Sequence, residues 1–251
     1  MRPALLASGT LLVLVLAGCG GADEQEPPQD RLEVFAASSL TEVFEQLGQA
    51  FEDENPGVDV VLSFGGSPGL AQQVLSGAPA DVLATASPAT FQTVVDAGDA
   101  AEPVVFARNR LQIAVPADNP GRVTGLSDLT DPERTIALCA PAVPCGAAAV
   151  AVFAAAGLTP SVDTEEQDVR AALAKVVLGE VDAALVYRTD VLAAGDRVRG
   201  IDVPEAAEAV NDYPIAVTTG ARNPEGAAAF VSFVLSAEGQ ALLGAAGFGS
   251  A

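Results

Sequence analysis

The chain has 251 residues, with 33 acidic side chains against 12 basic ones, and its formal net charge is −21. A surface this acidic repels nucleic acid and anionic lipid, so neither is an expected partner. The chain contains no histidine, which removes the most common general base and the usual nucleophile–histidine pairs of hydrolases.

Residues 1–19 have the features of a lipoprotein signal peptide. Arg2 supplies a positive charge, residues 5–16 are almost all apolar, and Leu16-Ala17-Gly18-Cys19 follows. The apolar run is shorter than the ~20 residues of a membrane-spanning helix and is typical of a secretory signal. The last four residues resemble the bacterial lipobox, so we predict a lipid anchor on Cys19. An ordinary signal peptide with a chance cysteine is the alternative.

Residues 20–30 form the next segment, which is polar, acidic and contains Gly and Pro. It cannot bury enough apolar surface to offset the entropy of ordering, so we predict a flexible linker. Together with the signal, it indicates an exported protein held at the cell membrane by its lipid, facing the periplasm or the extracellular side.

From residue 31 onward, apolar segments with strand character alternate with segments of helical spacing. This alternation predicts an α/β fold with largely parallel sheets. An apolar stretch at 104–115 is interrupted at 108–110. The predicted strands are 32–37, 58–64, 81–85, 135–138, 183–187 and 215–218, and the predicted helices are 40–54, 68–75, 88–97, 147–156, 169–178, 224–235 and 237–243.

The junctions between these elements suggest a site for an anion. Ligands of α/β folds bind beyond the carboxyl ends of strands, where helices begin. Ser39 and Ser67 open helices in the first half of the chain, Cys145 and Val169 do so in the second half, and Tyr187 ends a strand. Backbone N–H groups at helix starts bind anions without basic side chains, so an acidic protein can still hold an anion.

Two cysteines remain once Cys19 is assigned to the lipid. Cys139 and Cys145 are an even pair in an exported chain, which favours a small-loop disulfide, and two free thiols are the alternative. A zinc site is not expected, because two thiols without histidine do not complete a tetrahedral set of ligands.

A series of motifs resembles the family of periplasmic molybdate-binding proteins, from about Leu32 to Phe248. The resemblance implies a type II periplasmic-binding-protein fold, in which two α/β lobes close around a ligand, and delivery to an ABC transporter permease. Under this interpretation lobe 1 comprises residues 31–110 and 215–251, and lobe 2 comprises 111–214. The motifs are Val34–Leu40, Phe64-Gly65-Gly66-Ser67, Gly77–Val82, Val143-Pro144-Cys145-Gly146, Asp168–Leu173 and Val186-Tyr187.

The resemblance also implies a ligand set for molybdate, with tungstate as a ligand of almost the same size. Ser39 and Ser67 would each give a hydroxyl and a backbone N–H, Cys145 and Val169 would give backbone N–H groups, and Tyr187 would give its hydroxyl. These groups are all donors, as a fully deprotonated oxyanion requires. We expect a monomer without a catalytic residue, cofactor or separate metal site.

Other interpretations remain open at this point. The same cleft could serve another oxyanion, such as sulfate. A secreted hydrolase would need a base near Ser39, Ser67 or Cys145, and Lys175 is the chain's sole lysine. Arg170 and Lys175 could contact an anion directly, but solvent-facing charges on a helix are the favoured interpretation.

Overall fold

The computed structural model describes residues 30–251. The predicted signal peptide, with Cys19, and residues 20–29 of the predicted linker lie outside the described residues.

Strands and helices alternate along this part of the chain. The strands are β1 (Arg31–Ala37), β2 (Asp59–Gly65), β3 (Val82–Ala84), β4 (Val104–Asn109), β5 (Leu111–Pro116), β6 (Ile136–Cys139), β7 (Thr164–Glu166), β8 (Ala183–Tyr187), β9 (Val198–Ile201) and β10 (Asn211–Val217). The helices are α1 (Thr41–Glu54), α2 (Ser67–Leu75), α3 (Pro88–Asp96), α4 (Pro144–Ala156), α5 (Val169–Val177), α6 (Arg188–Ala194), α7 (Pro224–Leu235) and α8 (Ala237–Ala245). Short 3₁₀ turns lie at Ser38–Leu40, Leu126–Thr130, Gly195–Arg197 and Pro204–Glu208.

The strands form two five-stranded sheets with the same plan. Sheet 1 has the order β2-β1-β3-β10-β4, and sheet 2 has the order β7-β6-β8-β5-β9. In each sheet the first three strands are parallel, and the fourth runs antiparallel to its neighbours. The prediction of a two-lobed α/β fold is therefore confirmed, with lobe 1 built on sheet 1 and lobe 2 on sheet 2.

Each antiparallel fourth strand lies next to a crossing between the sheets. β4 ends at Asn109 in sheet 1, and β5 begins at Leu111 in sheet 2, so the chain crosses at Arg110. The chain returns to lobe 1 before β10. The first residue of β10, Asn211, pairs with Asn109 of β4 and therefore already belongs to sheet 1.

Helix α1 illustrates how the sequence pattern produces the packing. Val43, Phe44, Leu47 and Phe51 recur at helical spacing, and all four are buried against sheet 1. The helix ends before Gly57, whose φ of +108° favours glycine. Burying such side chains contributes about 1.5–3 kcal/mol each relative to leaving them exposed.

The two lobes have separate hydrophobic cores. One face of sheet 1 packs on α1, α7 and α8, and a second cluster lies beneath α2 and α3. Sheet 2 packs mainly on α4 and α5. Because each lobe has a core of its own, the lobes are able to move as units about the two crossings.

Three elements of lobe 2 were not predicted. These are β7, whose Thr-Glu-Glu sequence is acidic, the short helix α6, and β9, which contains Arg199 and Gly200. Helix α4 starts at Pro144, earlier than the predicted 147, because a proline is well suited to a first helical turn. No single helix within residues 30–251 is long and apolar enough to span a membrane. Helices α7 and α8 together have the required length and composition, but they are bent by 60° relative to each other.

Candidate ligand-binding site

A narrow cavity lies where the two lobes meet. The space in it is about that of one water molecule. All five residues predicted to bind the ligand line this cavity. The lining residues are Ala37, Ser38, Ser39, Gly66, Ser67, Ala86, Val143, Pro144, Cys145, Asp168, Val169 and Tyr187.

Lobe 1 contributes the segments that follow its first three strands. Ser39 lies in the 3₁₀ turn after β1, and Ser67 is the first residue of α2, directly after β2. Both side chains are buried. The Ser67 hydroxyl accepts a hydrogen bond from the backbone N–H of Ala86, at 3.1 Å. Because the hydroxyl oxygen already accepts this hydrogen bond, the hydroxyl can donate its own proton to a ligand in the cavity.

Lobe 2 contributes the N-terminus of α4, where Cys145 is the second helical residue. N–H groups in a first helical turn have no partner within the helix, so they are free to bind a ligand. Cys145 is joined to Cys139 by a disulfide whose Cα atoms are 5.7 Å apart. A Cβ on Gly146 would overlap the carbonyl oxygen of Ala140, so only glycine allows this close turn of the backbone. The bridge thus ties the start of α4 to the end of β6.

The N-terminus of α5 forms the adjacent wall. The Asp168 side chain caps this helix by accepting the N–H groups of Arg170 and Ala171, at 2.8 and 3.1 Å. Val169 is the first helical residue and is buried, and its N–H belongs to the first turn without an intrahelical partner. Within residues 30–251, Asp168 is the one carboxylate residue that lines the cavity, and its capping bonds commit one oxygen to the helix.

Tyr187 closes the cavity at the end of β8. Its ring is 1% exposed, and within the described residues its buried hydroxyl has no hydrogen-bond partner. Burial raises the pKa of Tyr187 well above its ordinary value, so the hydroxyl stays protonated and can donate. A buried donor that lines a cavity without a protein partner indicates a ligand that accepts a hydrogen bond.

A buried carboxyl group lies behind Tyr187. Asp190 is 3% exposed and accepts the backbone N–H of Tyr187 at 2.8 Å. Burial raises the pKa of Asp190 to about 8, against the opposing effect of this hydrogen bond. Asp190 is therefore mostly neutral at neutral pH, which limits its repulsion of an anion.

The basic side chains on α5 form ion pairs away from the cavity lining. Arg170 pairs with Glu42 of α1, and Lys175 pairs with Glu166 and Glu180. Neither basic residue is among those that line the cavity. The positive potential of the site therefore comes from helix N-termini and hydroxyl donors.

The backbones of the two lobes touch beside the cavity. Gly66 of lobe 1 lies against Gln167 of lobe 2 so closely that a Cβ on Gly66 would overlap the carbonyl oxygen of Gln167. At the crossings, the Asn109 amide donates to the Thr189 hydroxyl at 2.8 Å, and Arg188 Nη1 donates to the Gly247 carbonyl at 3.2 Å. The lobes are closed around the cavity.

Sequence reasoning missed part of the wall and one buried neighbour. Ala86 could have been found from its position just beyond β3, by the same rule that identified Ser39 and Ser67. Tyr213 gave no such signal, because it lies on β10, whose place between β3 and β4 depends on long-range pairing. Its hydroxyl lies 2.9 Å from the Ser39 hydroxyl.

These features define a class of protein: two hinged α/β lobes that enclose a small solute with hydrogen-bond donors from both sides. The comparisons with known proteins agree with this class. The family described as bacterial extracellular solute-binding protein matches residues 32–249.

Individual relatives extend the comparison. The chain is 38% identical to the molybdate-binding protein ModA of Mycobacterium tuberculosis H37Rv, over 99% of both chains. It is 32% identical to the Escherichia coli K12 protein of the same name, over 87% of each. In fold it is similar to the Azotobacter vinelandii periplasmic molybdate-binding protein, with a TM-score of 0.73 and 22% identity, covering 86% of this chain and 98% of the other.

This chain therefore belongs to the family of bacterial extracellular solute-binding proteins that includes the molybdate-binding protein ModA. The relatives are named as binding proteins rather than as enzymes, which agrees with the predicted binding function and not with the hydrolase alternative.

Proposed function

We propose that this protein captures molybdate, and also tungstate, outside the cytoplasm and delivers the anion to the permease of an ABC importer. The observation that carries the proposal is the arrangement of Ser39, Ser67, Cys145, Val169 and Tyr187 around one small cavity. The relatives named as molybdate-binding proteins support this choice of anion.

The donor set suits the chemistry of such an anion. A fully deprotonated tetrahedral dianion presents only acceptors, and the five positions present hydroxyl and backbone N–H donors. The charge-assisted hydrogen bonds expected here contribute about 1.5–3 kcal/mol each. Ser39, Ser67 and Tyr187 are buried, and hydrogen bonds in a buried site are stronger than at an exposed surface.

The same set disfavours a protonated oxyanion. Phosphate near neutral pH carries a proton that needs an acceptor, and an unpaired polar group in a closed site costs affinity. Asp168 is the carboxylate among the described residues that line the cavity, and one of its oxygens already accepts two backbone N–H groups. Sulfate carries no such proton, so its discrimination depends on the size of the cavity.

Closure of the two lobes is the proposed mechanism of capture. Ser39 and Ser67 belong to lobe 1, whereas Cys145, Val169 and Tyr187 belong to lobe 2. An anion that contacts both sets binds the closed form better than the open form, so it shifts the population toward closure.

The location of the protein completes the proposal. A lipidated Cys19 would hold the chain at the membrane surface, and residues 20–30 would act as the tether between the lipid and lobe 1. The protein would act as a monomer on the outer side of the membrane that contains its permease.

Isothermal titration of the protein from residue 20 onward tests the anion directly. We expect one-to-one binding of molybdate and tungstate, with sulfate and phosphate much weaker. Tight binding of sulfate alone would reassign the site to a different oxyanion. If no anion gives heat or changes the melting temperature, the proposed ligand class is wrong.

A further inference from the structure

Tyr213 lies behind the cavity, next to Ser39, without lining the cavity itself. It is fully buried on β10, and its hydroxyl is 2.9 Å from the Ser39 hydroxyl oxygen. Its ring meets the rings of Phe106, Tyr187 and Phe248 edge-on, with centroid distances of 6.3, 6.0 and 5.5 Å. This packing fixes the phenol in one position.

The direction of the hydrogen bond between Tyr213 and Ser39 decides what Ser39 offers to a ligand. If the phenol donates, the serine oxygen is occupied as an acceptor and its own proton is available for the cavity. If the serine donates to the phenol, the serine has only lone pairs left, and these repel an anion. Burial raises the pKa of Tyr213 far above its ordinary range, against a smaller opposing effect of the Ser39 hydroxyl, so the phenol keeps its proton and can donate.

The second serine of the site has the same arrangement. The backbone N–H of Ala86 donates to the Ser67 hydroxyl oxygen at 3.1 Å. A backbone N–H has no other role than donor. The Ser67 hydroxyl can therefore donate its proton toward the cavity. If the phenol donates to Ser39, both serine hydroxyls act as hydrogen-bond donors toward the ligand.

We propose that Tyr213 is a positioning residue that makes Ser39 a hydrogen-bond donor and thereby selects fully deprotonated oxyanions over protonated ones. The inference rests on the proposed function, because it assigns a role within that oxyanion site. It adds to the site a residue that touches the ligand only through Ser39.

Titration of wild type, Tyr213→Phe, Ser39→Ala and the double variant with molybdate tests this role. Tyr213→Phe keeps the ring and its packing but removes the donor, and we expect molybdate to bind about tenfold more weakly. In the Ser39→Ala background, the same change should have almost no further effect, because the group through which Tyr213 acts is gone.

The affinity for hydrogen phosphate distinguishes this role of Tyr213 from a purely structural one. In Tyr213→Phe, Ser39 regains an acceptor lone pair, so the ratio of the phosphate Kd to the molybdate Kd should fall. General loosening of the site would weaken both anions alike and leave this ratio unchanged, which would overturn the proposal.

Two further outcomes would also overturn the proposal. One is wild-type molybdate affinity in Tyr213→Phe, and the other is an equal loss in the wild-type and Ser39→Ala backgrounds. Should Tyr213→Phe alone fail to fold, the comparison of Ser39→Ala with the double variant keeps the proposal falsifiable, because a further loss of affinity in the double variant would contradict an action through Ser39. A wild-type protein that binds no molybdate would instead refute the proposed function.

Discussion

Arg170 of α5 and Glu42 of α1 form an ion pair between the two lobes, with Nη1 2.5 Å from Oε1. The two side chains are 40% and 42% exposed, so each is well hydrated when the lobes are apart. The pair can form only when α5 approaches α1, and it therefore favours the closed form.

Neutralising this pair should weaken ligand binding modestly. Because the pair is exposed, we expect Arg170→Gln to cost about 0.2–1 kcal/mol of binding free energy, and the cost should shrink in high salt. Titration with molybdate at low and high ionic strength measures it. Arg108→Gln is the matched control, since its pair with Asp212 is equally exposed but lies within sheet 1. Equal effects of the two variants would contradict a role in closure.

Gly66 should be essential for complete closure of the lobes. A Cβ at this position would overlap the Gln167 carbonyl of the opposite lobe, whereas a Cβ on Gly69 meets no atom within 4 Å. We expect Gly66→Ala to lower affinity at least tenfold while each lobe stays folded, because the added methyl holds the lobes apart. Small-angle scattering with ligand should show a more open particle. Gly69→Ala should bind and close like the wild type, and closure of Gly66→Ala to wild-type dimensions would refute this account.

Removal of the Ser67 hydroxyl should weaken binding by about 1.5–3 kcal/mol, the range for a hydrogen bond to a charged group. The same range applies to Ser39→Ala. Ser87→Ala is a suitable control, because Ser87 precedes the next helix of lobe 1 and does not line the cavity. Isothermal titration with molybdate measures the affinity of each variant. Wild-type affinity in Ser67→Ala would show that the Ser67 hydroxyl does not bind the ligand.

Reduction of the disulfide should loosen the wall that contains Cys145. The bridge joins Cys139 to Cys145, with a sequence separation of 6, and closing a loop of this size stabilises a folded chain by about 2 kcal/mol. We expect a lower melting temperature and weaker molybdate binding under reducing conditions. The protein from residue 20 onward contains no other cysteine, so Cys139→Ser/Cys145→Ser should reproduce the reduced state and show no response to reductant. Unchanged molybdate affinity after reduction would show that the disulfide does not contribute to binding.

The buried Asp190 should make stability depend on pH. Its pKa in the folded protein is about 8, against an ordinary value of 3.8, so the folded state holds a proton that the unfolded chain releases. The free energy of unfolding should therefore fall as pH rises from about 4 to about 8. Asp190→Asn keeps an acceptor for the Tyr187 N–H and loses this dependence.

Denaturant unfolding at about pH 5 and about pH 9 tests the role of Asp190. We expect wild type and Asp190→Asn to be similar at the lower pH and the variant to be more stable at the higher one. The exposed Asp196 provides the control substitution Asp196→Asn. Parallel pH dependence of wild type and Asp190→Asn would show that Asp190 is not the responsible group.

Local sequence patterns account for much of the fold. Val43, Phe44, Leu47 and Phe51 identified α1 because burial on one helix face imposes that spacing. The strand–helix junctions that contain Ser39 and Ser67 were identified from a general property of parallel sheets, whose carboxyl ends meet at one edge. For the same reason, residues far apart in the chain could be placed at one cavity before any contact was known. The resemblance to the molybdate-binding family then singled out these two serines.

Features that depend on distant contacts were not predictable. Strand β7 is short and acidic, and it is a strand only because β6 provides a partner. Tyr213 acts next to Ser39 because β10 returns from lobe 2 and pairs between β3 and β4. The contact of Gly66 with Gln167 likewise exists only once both lobes are folded and closed.

The meeting of Tyr187 and Tyr213 at the cavity has a practical consequence. The chain has two tyrosines and no tryptophan, so light absorbed beyond the phenylalanine band excites only these two rings, whose centroids are 6.0 Å apart. We expect an anion that accepts a hydrogen bond from Tyr187, or a movement of the lobes that separates the rings, to alter their emission. The tyrosine emission of the unlabelled protein should therefore report on ligand binding at Tyr187.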